Sequence, residues 1–264
     1  MTEQDVLLAK EGGIATVTLN RPDKMNALIP AISEGIYNHL SDAAADPDVR
    51  VIVLTGTGRA FCAGADVSAM AQRASQPTPT EAPSALRPGR VHIALLIQSC
   101  DKPVIAAING VAVGVGLDLA LACDIRIASD EAKLSEAYIR RGMLPAGGGS
   151  FFLPRLLGID RALLVAWTGD MIDAKEAERI GLVTMVVPHA QLNEATRDLA
   201  ERLAKGPALA VQKTKRAIYD GLSMTLKDHL EYTAAVRRDL LKTEDHKEGT
   251  TSFVEKRAPR FKGN

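Results

Sequence analysis

Asp118 stands inside a run from Asn109 to Asp124, NGVAVGVGLDLALACD, that is otherwise almost wholly apolar or glycine. Burying an unpaired carboxylate is costly. An acid flanked by Leu117, Leu119, Ala120 and Leu121 is therefore paired, placed at an edge, or chemically employed. Two segments, VIVLTGTGRAFCAGADVSAM and PVIAAINGVAVGVGLDLALA, share one design: a strand, a turn of small residues, then a helix. Small residues let a ligand approach the backbone closely, and a helix amino terminus offers N–H groups without intrahelical acceptors. Two such turns, if they converge, could donate two N–H groups to one negative oxygen. Each donor of that kind stabilises a transition state by roughly 3 kcal/mol. Asp118 follows Val115 by three residues, which puts both on one helix face and lets the acid overlook that oxygen. The same features also fit two tight strand–helix connections and a first-turn acid complementing the helix dipole.

Other chemistries find no support. Gly114-Val115-Gly116 is followed by Leu119 where a dinucleotide fingerprint needs glycine, and no GxSxG, GxxxxGK[ST] or HExxH motif occurs. His39, His92, His189, His229 and His246 are scattered at no ligating spacing, so no metal site is expected. Lysine plus arginine equals aspartate plus glutamate at 32 each, which gives no bias towards nucleic acid or anionic lipid. Cys62, Cys100 and Cys123 lack CxxC spacing and read as reduced, structural thiols of a cytoplasmic protein. The amino terminus lacks the apolar core of a secretory signal. Positions 103–123 read as a buried strand, turn and helix, not as a membrane span, because glycines, Asn109 and Asp118 interrupt them.

The elements that must position these residues alternate over the first two thirds of the chain. VLLAKEGGIATVTLNRP predicts two strands around Gly12-Gly13, PAISEGIYNHLSDAAAD a helix opened by Pro30, and VRVIVLTG a buried strand. VSAMAQRA at 67–74 reads as a helix and 75–90 as a proline-rich surface loop shaping the pocket. VHIALLIQSC, VGLDLALAC and the chain beyond about 160 predict helices; KPVIAAING, DIRIAS and LVTMVVP predict strands. Trp167 and Met171 read as core, Arg140 and Arg141 as surface or interface charges. With 264 residues, 46% hydrophobic, the chain suits one large α/β core with a helical appendage.

FCAGAD, NGVAVGVGLDLALACDIRIAS and GMLPAGGG, in this order, resemble the enoyl-CoA hydratase/isomerase (crotonase) family. RPDKMNAL, TGDMIDAKEAERIGLVTMVVP and FVEKRAPRFKG extend the likeness over nearly the whole chain. The resemblance implies a spiral of repeated ββα units over residues 1–200, carrying an acyl-CoA site. It implies a helical trimerisation region over 201–264, with trimers or dimers of trimers. Coenzyme A would be part of the substrate and no separate cofactor would be needed. The thioester oxygen would be held by the N–H groups of Ala65 and Val115. Ala63, Ala65 and Asp66 would flank the coenzyme A moiety, and Phe253 and Lys256 would cover its nucleotide end, in the same or the next subunit. Charge would flow from the α-carbon onto the oxygen while carboxylates move protons.

The family pattern breaks at the second acid. Hydratases of the family carry two glutamates. Asp118 matches the first, but SEAYIRRG aligns Tyr138 with the second. Relatives that use an aspartate after the following proline offer no substitute, because Ala146 and Gly147 stand there. Val115 replaces a common glycine but keeps its N–H. Glu136, two residues before Tyr138, would share its side if the segment were a strand, and otherwise reads as solvated or structural. The sequence thus points to an enoyl-CoA hydratase or isomerase with Asp118, Tyr138, Ala65 and Val115 as candidate catalytic residues. Alternatives are a non-catalytic acyl-CoA binder and a decarboxylase using Tyr138.

Overall fold

The computed structural model describes residues 5–66 and 92–264. The helix expected at 67–74 and the loop expected at 75–90 fall outside that range. Two sheets organise the chain. The larger contains β1 (Val6–Glu11), β2 (Ile14–Leu19), β3 (Val51–Gly56), β5 (Val104–Ile108), β7 (Ile125–Ser129) and β10 (Met185–Val187), in the order β1-β2-β3-β5-β7-β10. The smaller has the order β4-β6-β8-β9, from Ala60–Cys62, Val111–Val113, Lys133–Ser135 and Ile172–Asp173. Only β1 with β2 and β8 with β9 pair antiparallel; the rest are parallel.

The connectivity follows one rule. In β3–β4, β5–β6 and β7–β8 the first strand joins the large sheet and the second joins the small one, each a step beyond its predecessor. That is a spiral of ββ units with helices returning between them. The large sheet's central strands are apolar at nearly every position because both faces are covered. Val51, Val53, Ile105, Ala107 and Ile127 meet Leu192 and Ala200 of α7 (Leu192–Ala204). The alternate residues Ile52, Leu54, Ala106 and Ile108 join the main core. There α1 (Pro30–Ala45) buries Ile32, Ile36, Leu40 and Ala43, one helical stripe. Two helices thread this core: α2 (Ile93–Ser99) and α3 (Val115–Ala122), the latter buried from Gly116 to Ala122.

The remaining helices are α4 (Gly149–Leu157), α5 (Ile159–Thr168), α6 (Ala174–Ile180), α8 (Ala208–Gly221), α9 (Leu226–Leu240) and α10 (Glu244–Val254). Residue 200, the expected end of the core region, falls inside α7. Trp167 and Met171 are not core: Trp167 is 66% exposed because α5 turns apolar side chains outward as well as inward, and Met171, past the end of α5, is 49% exposed. No helix among the described residues is long and apolar enough to cross a membrane.

α8 is fastened to the core by charge. Buried Lys215 sits 2.8 Å from Asp124 and donates to the carbonyls of Ile97 and Lys102, while the Tyr219 hydroxyl donates to the other Asp124 oxygen. Removing one partner of such a pair strands the other charge. Lys215→Ala should lower unfolding free energy by about 3 kcal/mol in urea titrations. Lys205→Ala, at the exposed pair with Glu201, should change it by less than about 1 kcal/mol. Equal effects would remove the network's structural role.

Candidate active site

Strands β4 and β6 lie side by side and parallel, with Ala60 opposite Val111 and Cys62 opposite Ala112. The chain therefore leaves both strands at the same edge, and the two small-residue turns meet there. Glycine lets them touch. A Cβ on Gly64, whose φ is +97°, would lie 2.7 Å from the Val113 carbonyl oxygen. One on Gly116 would lie 2.1 Å from the Cys62 carbonyl oxygen. Neither position admits a side chain.

In the first turn, Leu28 N–H donates to Gly64 O at 2.7 Å and Asp66 N–H donates to Leu28 O at 3.0 Å. This parallel bridge uses the groups on either side of Ala65 and turns Ala65's own N–H away from Leu28. In the second turn, Val115 is the first residue of α3, where N–H groups have no intrahelical acceptor. Both residues line a cavity of about 70 Å³, together with Ala63, Gly64, Tyr138 and Arg141. The Gly114 N–H donates to Ser135 O at 2.8 Å, which ties this turn to the strand leading into Tyr138.

The segment after β8 is not a strand. Residues Ala137–Arg141 form a 3₁₀-helix that Glu136 precedes and Gly142 ends at φ +64°. Even so, Glu136 and Tyr138 both reach Asp118. The Tyr138 hydroxyl donates to Asp118 Oδ2 at 2.5 Å, and the Gly147 N–H donates to the same oxygen at 2.9 Å. Glu136 is fully buried, which corrects its reading as solvated. A Cβ on Gly149 would lie 2.4 Å from Asp118 Oδ1 and 2.6 Å from Glu136 Oε1, so the two carboxyls converge on that glycine. The Gly149 N–H and the Glu136 carboxyl stand against Asp118 as further hydrogen-bond partners. Two carboxyls so close in a buried setting do not both ionise. Burial, and then the Asp118 charge, push the Glu136 acid far above the usual carboxylate range, so it keeps its proton. Burial also raises Asp118, opposed by the hydrogen bonds from Tyr138 and Gly147. Tyr138 is raised by burial and by the Asp118 charge, and stays a neutral donor.

The sequence-derived residues separate into three places. Ala63, Ala65, Val115 and Tyr138 line the cavity. Asp118, 1% exposed, does not; it lies behind Tyr138 and meets the cavity through the phenol. Asp66 is bound by Arg21 at 3.1 Å, while Phe253, 85% exposed, lines a separate cavity among α8, α9 and α10. Lys256 follows α10 at φ +55° and lines neither cavity. Sequence reasoning missed Arg141 as a lining residue, and Gly147 and Gly149 as the acid's neighbours. The run AGGGS was the available signal, since consecutive glycines permit close approach. Below the first turn, the buried Cys62 thiol is pushed up to about 12 by burial.

Two adjoining small-residue turns of a ββ spiral, with a buried acid behind the Tyr138 wall of their cavity, describe a site on a crotonase fold. The family model for enoyl-CoA hydratase/isomerase matches residues 9–264, and the chain belongs to that family. It is 41% identical to (E)-benzylidenesuccinyl-CoA hydratase from Thauera aromatica, covering 98% of this chain and 99% of that one. It is 34% identical to 1,2-epoxyphenylacetyl-CoA isomerase from Escherichia coli K12, over 98% of both chains. The crystal structure of an enoyl-CoA hydratase subunit I from Geobacillus kaustophilus superposes with TM-score 0.89 at 37% identity, covering 98% of each chain.

Both buried carboxyls titrate above their ordinary values, so at neutral pH the folded chain holds a proton that the unfolded chain has released. The stability this contributes is complete below the ordinary glutamate value of 4.5 and is lost as pH rises through the folded values. The melting temperature should therefore fall between about pH 5 and about pH 9, and Glu136→Gln should lessen that fall by about 2 °C or more. Identical slopes in calorimetry would mean that Glu136 is ionised in the folded chain.

Proposed function

We propose that this chain is an enoyl-CoA hydratase or isomerase that works through a thioester enolate, with Tyr138 and Asp118 moving the proton. The observation that carries the reading is Tyr138: it lines the cavity of the two turns, and its hydroxyl donates to a carboxylate hidden from that cavity. The Ala65 and Val115 N–H groups receive the thioester oxygen. As a proton leaves carbon, its electron pair moves onto that oxygen, where fixed donors stabilise the charge. The carbon's proton passes to the Tyr138 oxygen as the Tyr138 proton passes to Asp118 Oδ2. No free phenolate forms, consistent with the raised phenol. The reverse transfer returns a proton to the acyl chain. Isomerisation needs only this shuttle between two carbons. For hydration, the same route takes a proton from water and later delivers one to carbon.

The reading assigns no separate cofactor, since coenzyme A arrives with the substrate, and a cytoplasmic location. Ala63 and Asp66 border the coenzyme A moiety. The region from residue 201 onward serves self-association as a trimer or dimer of trimers. Ile218, Leu222, Leu226, Leu230 and Phe253 support this, being between 58% and 85% exposed on α8–α10. Phe253 and Lys256 then cover the nucleotide end of coenzyme A bound to a neighbouring copy, since within one chain they lie away from the cavity.

The test is turnover of 2-enoyl- and 3-enoyl-CoA in deuterated water. Asp118→Asn and Tyr138→Phe should each lower kcat by about 100-fold or more, with smaller effects on KM. Acyl-CoA binding without turnover or deuterium uptake would make the chain a binder. Release of carbon dioxide from a malonyl-type thioester, without enoyl-CoA turnover, would make it a decarboxylase.

A further inference from the structure

Among the described residues lining the cavity, Arg141 is the only charged one; the others are small or apolar, apart from Tyr138. Its placement is set by the 3₁₀-helix. With three residues per turn, positions 138 and 141 eclipse each other, so the guanidinium shares the cavity face with the Tyr138 phenol. The neighbouring arginine behaves differently: Arg140 points elsewhere and pairs with Asp170 at 3.2 Å. No hydrogen bond or ion pair engages Arg141 among the described residues. The negative charge of Asp118 lies behind Tyr138, where its own donors already hold it. Arg141, exposed and unpaired among the described residues, therefore presents a fork of N–H donors at the edge of an otherwise apolar site. Pockets of this kind orient a ligand through a few polar groups, and a guanidinium matches a carboxylate in bidentate fashion.

The position also indicates which part of the ligand it meets. On the proposed reading, on which this inference rests, Tyr138 faces the reacting carbons of the acyl chain. On that reading coenzyme A leaves from the sulfur towards Ala63 and Asp66, and Arg141, one turn past Tyr138 on the same face, is left to the acyl chain. We propose that Arg141 is a specificity residue that pairs with a second, free carboxylate on the acyl group, so that the preferred substrates are enoyl-CoA half-thioesters of dicarboxylic acids.

Binding and turnover test this separately. By calorimetry, succinyl-CoA should bind about 10- to 100-fold more tightly than butyryl-CoA of equal chain length, the range expected of charge-assisted hydrogen bonds. Arg141→Leu should abolish that preference while changing butyryl-CoA affinity less than about threefold, and Arg141→Lys should restore part of it. The same pattern should appear in kcat/KM for a carboxylated enoyl-CoA against crotonyl-CoA. Equal weakening towards both thioesters would assign Arg141 to the coenzyme A phosphates and overturn the proposal. So would the absence of any preference in the wild-type protein. If the binding preference holds while neither enoyl-CoA turns over, the catalytic reading fails and the carboxylate site stands.

Discussion

The site depends on keeping one negative charge, that of Asp118, inside a packed core. Asp118 does so with two donors on one oxygen and a neutral acid beside the other. That arrangement needs backbone where side chains would ordinarily be. A Cβ on Gly147 would lie 2.4 Å from Asp118 Oδ2, and one on Gly149 an equal 2.4 Å from Oδ1. The glycine run after Pro145 is thus the wall against which the carboxylate rests. It also explains why no aspartate occupies position 147: a side chain there and Asp118 in its present place are mutually exclusive.

The second half of the site follows from the repeat. Each ββ unit sends its second strand into the small sheet, so neighbouring units deliver equivalent turns to one edge without further design. What the sequence adds is smallness at Gly64 and Gly116, which lets the two turns come into contact. The proposed donors are main-chain groups, so Val115 in place of glycine leaves the N–H in position and alters only the space around it. The protein's individuality lies in side chains: the shorter acid Asp118, the phenol of Tyr138 in front of it, and the Glu136 proton behind.

Much of this was legible in the residues. Apolar runs bounded by glycine and proline marked the strands, and the small-residue stretches marked the two turns, because both depend on local chain physics. The order of FCAGAD, GVGLDL and GMLPAGGG carried the family. What escaped depends on tertiary neighbours. Glu136 and Tyr138 were expected to share a side through strand alternation; they converge instead from the start and first turn of a 3₁₀-helix. The burial of Glu136 could not be read locally, since its cover is supplied by glycines more than ten residues on. Trp167 looked like core by composition alone, yet α5 carries apolar residues on both faces and leaves it outside. Arg140 and Arg141 are indistinguishable in the sequence, and only the helix phase sends one to Asp170 and the other to the cavity.

Cys62 lies immediately before the turn that reads as the thioester's cradle, and a thiolate there would be a nucleophile within reach of an acylating group. Its thiol, however, is pushed up to about 12 by complete burial, and its carbonyl is roofed by Gly116. A protonated, enclosed sulfur neither accepts an acyl group nor exchanges with a free thiol. On the proposed reading, the backbone of this turn can therefore meet one activated thioester after another without the Cys62 thiol being acylated.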